Sequence, residues 1–142
     1  MSEKIPEESE QKKSGIYSEG TQVIGRAGSI YFGVKGEVIA FIDDPGHLGY
    51  KKYRIRVTDD SQRQEFGDII FVDMEELGAL DSVRIERLDN ISHGTRIKTR
   101  SNEMGVVTDE KDERFPDSTI IVLMDDGSKR RGSSSAEVEI IN

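Results

Sequence analysis

Two stretches of this 142-residue chain break in the same way: "YRIRVTDDSQR", residues 53–63, and "TIIVLMDDGSKR", residues 119–130. Each is a β-rich run that stops at an Asp-Asp pair, followed by a small residue and then basic ones. Ordered self-similarity constrains the architecture before any single motif does, because it implies copies of one structural unit. Three further matches keep the order. "GTQVIGR" from Gly20 parallels "GTRIKTR" from Gly94, "GEVIAFIDD" from Gly36 parallels "GVVTDEKDE" from Gly105, and "DSVRIERLDN" (81–90) parallels "SAEVEIIN" (135–142). The spacings differ, 39 residues from Gly20 to Asp59 against 31 from Gly94 to Asp125. The first copy therefore carries insertions, near "SIYFG" and around "DMEELGAL", which cost little because loop-closure entropy grows slowly with length. Chance agreement among Gly/Asp/Val-rich β segments is the competing account.

From residue 20 the chain reads as short Val/Ile/Phe/Tyr-rich runs separated by Gly, Asp and Ser clusters, a pattern of small sandwiches or barrels. One helical interruption is predicted at "DMEELGAL", 73–80. In the second copy the predicted strands are 95–99, 105–108, 119–124, 129–131 and 138–141, with "DDGS" as a tight hairpin turn. Five such strands bury a core of about eight to ten side chains, here including Ile97, Val106, Ile120, Val122, Val138 and Ile140. The fold class is all-β: two tandem five-stranded small barrels, 20–90 and 91–142, behind a disordered tail over 1–19. That tail mixes Glu, Lys, Ser and Gln without apolar periodicity and cannot offset the entropy of ordering.

"GTRIKTRSNEMGVVTDE" resembles the opening hairpin of KOW and Tudor domains, which are small barrels of the Src-homology-3 type, and "IIVLMDDGSKR" resembles their third-to-fourth-strand turn. "GVKGEVIAFIDD" is a looser match in the first copy. The resemblance spans residues 20–142 and rests on structural positions. It implies a binding module: Tudor barrels often read methylated Lys or Arg with an aromatic cage, and KOW barrels often contact RNA, ribosomes or RNA polymerase. A cage needs about three or four ring faces within about 6 Å of the cation. The second copy has one aromatic, Phe115, and cannot supply them; in the first, Tyr50, Tyr53 and Phe66 are candidates for a groove, with core or loop packing as the alternative.

The formal charge of −8 opposes general attraction to nucleic acid or anionic membrane, so any basic surface has to be local. Alternation puts Arg96, Lys98 and Arg100 on one strand face, and Lys129, Arg130 and Arg131 follow the second Asp-Asp turn. If the two strands lie close, six cations converge and suit an anionic partner or nucleic acid. A solvated strand face with cross-strand ion pairs explains the same residues, as it does "KKYRIR" at 51–56.

No cysteine, no nucleophile elbow and no phosphate-binding loop is present, and His47 and His93 sit in different copies. The acidic loops lack the alternating ligand spacing of a calcium loop. These features point to no catalytic residues, no metal and no cofactor, though an all-β fold can host sites that sequence order conceals. The reading is a cytoplasmic protein, or a nuclear one in a eukaryote, with no membrane contact and with the oligomeric state left open, a monomer being favoured. Its function is docking on a protein partner in transcription, translation or chromatin machinery, and the alternative is direct RNA or DNA binding through the second copy's basic patch.

Overall fold

A computed structural model describes residues 17–44 and 50–141, so most of the predicted tail, His47 and the side chain of Tyr50 lie outside the described residues. The described chain is mostly β, arranged in two antiparallel sheets that fit small barrel-type domains. Contacts divide it into two units. Residues up to Gly25 with Val34–Leu80 form the first, and Arg26–Gly33 with Asp81 onward form the second.

The first unit holds β1 (Gln22–Gly25), β2 (Lys35–Asp44), β3 (Tyr50–Val57), helix α1 (Asp60–Phe66), β4 (Ile69–Asp73) and β5 (Leu77–Ala79). Its sheet runs β4-β3-β2-β1-β5. Side chains alternate across each strand, so Val23, Val38, Tyr53, Ile55, Val57, Ile70 and Val72 meet on one face and are buried. On the other face Lys52 pairs with Asp73 at 2.7 Å and Arg56 with Glu37 at 3.0 Å, the cross-strand neutralisation that a solvated face requires.

The second unit contains β6 (Arg84–Arg87), β7 (Arg96–Lys98), β8 (Met104–Val107), β9 (Thr119–Met124), β10 (Lys129–Ser133) and β11 (Glu137–Ile140). Its order is β10-β9-β8-β7-β11-β6. Leaving β6 aside, this is the strand order of the first unit. Three of the four sequence matches thus occupy equivalent strands or turns, down to Gly36 in β2 and Gly105 in β8. The fourth does not. "DSVRIERLDN" and "SAEVEIIN" become β6 and β11, which pair with each other, while the fifth strand of the first unit is β5.

Two further expectations are corrected. Residues 73–80 hold a single 3-10 turn (Met74–Glu76) followed by β5, because Leu77 and Gly78 are drawn into pairing with Gly25 and Ile24. The helix lies instead at "DDSQR", where Asp59 accepts hydrogen bonds from the Gln62 amide (3.0 Å) and the Ser61 hydroxyl (2.8 Å) and caps α1. At the equivalent point of the second unit, Asp126 accepts from the Ser128 hydroxyl (2.6 Å) and amide (2.9 Å), and Gly127 at φ +90° closes the expected hairpin. One Asp-Asp pair starts a helix and the other makes a turn, since only the second is followed by glycine.

The Ser61 and Gln62 bonds hold the Asp59 carboxyl below its ordinary range. The cap is therefore in place above that range and lost as pH falls through the depressed value. Urea midpoints at pH 7 and pH 3 should show a smaller acid-induced loss in Asp59→Asn than in the parent chain. Equal losses would remove the cap from the acid response.

The second core comprises Leu88, Ile97, Val107, Val122, Met124 and Val138. Val107 stands where the sequence suggested Val106, one residue out of register. Val106 points outward beside Arg96 and Leu123. Ile120 packs against the cluster and Ile140 is half-buried.

The outer face of β11 is covered by the strap Arg26–Gly33. Glu139, only 2% exposed, accepts from the Ala27 amide (2.9 Å) and from Arg26 Nε (3.1 Å) and Nη2 (2.7 Å). The Gly28 amide donates to the Arg100 carbonyl at 3.3 Å. The pattern gave no sign of this clamp, since Glu139 reads as an ordinary outward residue of "EVEI".

Candidate binding site

The second sheet does not close. β10 pairs only with β9 and β6 only with β11, so these two strands are the edges of the sheet and the seam lies between β10 and the β11–β6 pair. A cavity of about 640 Å³ occupies it, a size in the range of small-ligand and side-chain pockets. Leu88, Ile97, Val122, Met124 and Val138 form its floor, which is the core itself seen through the gap. Arg100, Arg130, Arg131 and Glu137 line it as the charged residues.

Each rim arginine is held differently. Arg130 pairs across β9 with Val122 and therefore faces inward, reaching over the cavity to Glu103 in the β7–β8 turn, with a second contact at 3.2 Å. That bond keeps the Glu103 carboxyl below its usual range and raises the Arg130 guanidinium above its own. Arg100 lies over the Phe32 ring at 5.0 Å, and no carboxylate pairs with it among the described residues. A guanidinium stacked on a ring keeps its in-plane donors available. Arg131 has its Nε 3.4 Å from Asp112 Oδ2.

Asp112 is a residue that the sequence did not single out. It belongs to one of the acidic loops, yet it is 6% exposed, with Oδ1 accepting from the Arg114 amide at 2.9 Å.

The six predicted cations do not converge. Arg96 pairs with Asp125 at 2.8 Å and Lys129 with Glu110 at 3.0 Å on the outer face, away from the seam. Lys98 lies opposite Glu139 in the β7–β11 register, under the strap side. Arg100, Arg130 and Arg131 share this cavity. The aromatic groove is corrected likewise. Tyr53 is fully buried, packs on Phe41 at 4.9 Å, and its hydroxyl accepts from the Tyr17 amide at 2.6 Å. Burial also pushes its phenol up, which marks it as a core residue. Phe66 is half-buried at the end of α1.

No family model matches the chain, and no curated relative does. Among solved structures, the SAWADEE domain of SHH1 in complex with an H3K9me3 peptide is similar at 12% identity and a TM-score of 0.35, covering 85% of this chain and 98% of that one. A likeness this distant carries no weight for the site.

Proposed function

We propose that the chain is a non-enzymatic interaction module of the Tudor and KOW kind that docks on a protein partner in transcription, translation or chromatin machinery, and that the seam of the second unit is its site. The supporting observation is the unpaired edge of β10, beside which core aliphatic side chains are reachable beneath Arg100 and Arg130. Apolar floors with a few placed polar groups are the usual form of a recognition site. The lining has no aromatic ring, so bases have nothing to stack on, and single-stranded nucleic acid depends on such stacking. Arg96 and Lys129, outer-face cations that could meet phosphates, are matched by carboxylates.

The test places a photo-crosslinking amino acid at Ser135, an exposed residue of the lining, in the full chain. The adduct formed in host extract is identified, and the purified partner is titrated against the parent chain and Ser135→Trp. Saturable binding lost on Ser135→Trp supports the reading. Salt-sensitive binding of RNA or DNA oligomers that survives Ser135→Trp, but not joint replacement of Arg96, Lys98, Lys129 and Arg130 by Ala, would overturn it.

A further inference from the structure

The seam has a feature beyond its floor and charge: one wall is an unpaired strand edge. The register of β9 and β10 fixes which backbone groups are free. Met124 N donates to Ser128 O and Ser134 N to Ser118 O, so the pairs that exchange hydrogen bonds are 124 with 128, 122 with 130, 120 with 132 and 118 with 134. Antiparallel strands alternate such pairs with non-bonded ones. The amides and carbonyls of Lys129 and Arg131 therefore point away from β9, toward the open edge. The opposite side of β9 agrees, since the Thr108 amide donates to the Ile121 carbonyl on the β8 side.

Resting on the reading of the seam as a protein-binding site, we propose that its ligand is an extended acidic–aliphatic peptide that adds to β10 as a further strand, with the pattern Glu/Asp-x-Leu/Ile/Val. Strand addition supplies main-chain hydrogen bonds and leaves specificity to alternate side chains. On the added strand, residues in line with Arg130 and Gly132 face the floor, because those two face inward with Val122 and Ile120. Gly132 has no side chain to block the approach, and a Cβ there would meet the tip of Leu88 at 2.7 Å and the Ile120 carbonyl at 3.7 Å. An aliphatic residue sits at this end. Two positions along the strand, on the same face, the peptide reaches Arg130 and the turn from Thr99 to Glu103, which contains Arg100. A carboxylate there meets the ring-stacked guanidinium of Arg100, which no carboxylate among the described residues pairs with. A lysine in its place meets the like charge of Arg100, which no carboxylate among the described residues offsets. A methylammonium group finds no ring in the lining to face.

The probe is a fluorescein-labelled peptide, Gly-Thr-Glu-Thr-Leu-Thr-Ser-Gly, titrated against the full chain, with a version carrying Lys for Glu as its control. Saturable binding of the Glu peptide is expected, with preference over the Lys peptide lost or reversed in Arg100→Glu. Hydrogen exchange at the Lys129 and Arg131 amides should slow on saturation. Arg131→Ala removes the side chain and keeps the amide, whereas Arg131→Pro also removes the amide, which β9 does not use; Pro is expected to bind about tenfold more weakly than Ala. Urea midpoints of both variants exclude unfolding as the cause. Unchanged exchange at both amides, with Arg131→Pro equal to Arg131→Ala, overturns strand addition; if Ser135→Trp still blocks the peptide, the seam remains the site. No binding of the Glu peptide at roughly millimolar concentration, or equal binding of the Lys peptide, overturns the acidic–aliphatic class. The crosslinked partner's loss of binding to Ser135→Trp is read separately, so failure of the peptide and failure of the seam are distinct results.

Discussion

Replacing Glu139 by Ala should lower stability by about 3 kcal/mol, read as a fall in urea midpoint, because it strands a buried amide and a charged group at once. The carboxylate is nearly inaccessible and serves three donors on Arg26 and Ala27. The Arg26 side chain is 41% exposed and regains water when its partner goes, which keeps the cost at the low end for a broken buried pair. The Ala27 amide has no such recourse. Glu139→Gln preserves the shape and one acceptor for that amide, so about half the loss is expected. Chymotryptic cleavage after Tyr31 and Phe32 should rise in step with the loss. A midpoint unchanged in Glu139→Ala would mean that the strap does not depend on this carboxylate.

The second large effect is expected at the paired glycines. A Cβ at Gly105 would stand 2.8 Å from the Leu123 carbonyl and 2.9 Å from Val122 Cγ1; at Gly36 it would stand 2.8 Å from the Arg56 carbonyl and 2.3 Å from Ile55 Cγ2. In each unit the clash is between the second strand and the backbone of the third, which cannot move aside as a side chain tip can. Gly36→Val and Gly105→Val should each cost about 2–4 kcal/mol through strand separation. Gly127→Ala gives the scale for conformation alone. Its Cβ would meet nothing within 4 Å, and only the positive φ is disfavoured, so about 1 kcal/mol is expected. Losses at Gly36 and Gly105 no larger than at Gly127 would show that the strands yield.

These glycines explain why part of the fold was legible. Glycine was one of the few identities shared by both copies, and at Gly36 and Gly105 it is required by the same close approach of strands. The Asp-Asp echo was legible as a position but not as a conformation: Asp59 caps a helix where Asp126 builds a turn. Alternation placed Ile97, Val122 and Val138 inward correctly, and lost one residue of register at Val106/Val107, where two valines in succession give no alternation to read. The cations at 96–100 and 129–131 were found, but their dispersal was hidden. It depends on which strands are neighbours and on carboxylates such as Glu103 and Asp112 brought in from distant loops. The seam itself left no mark in the pattern, since an unpaired edge leaves β10 looking like an ordinary strand.

The strap also sets an order of events during synthesis. Arg26 and Glu139 are 113 residues apart, so the strap leaves the ribosome long before its acceptor exists. Its ends are held early, by the hydrogen bond from Gly25 N to Val34 O at 3.0 Å, while its guanidinium and the Ala27 amide stay in water until β11 arrives. Contacts of such long sequence separation form late, after their loop has been closed by other means. Glu139 is then a residue whose loss speeds unfolding and barely alters the rate of folding. The clamp is thus a kinetic lock, fastened only by a residue made 113 positions after the guanidinium it holds.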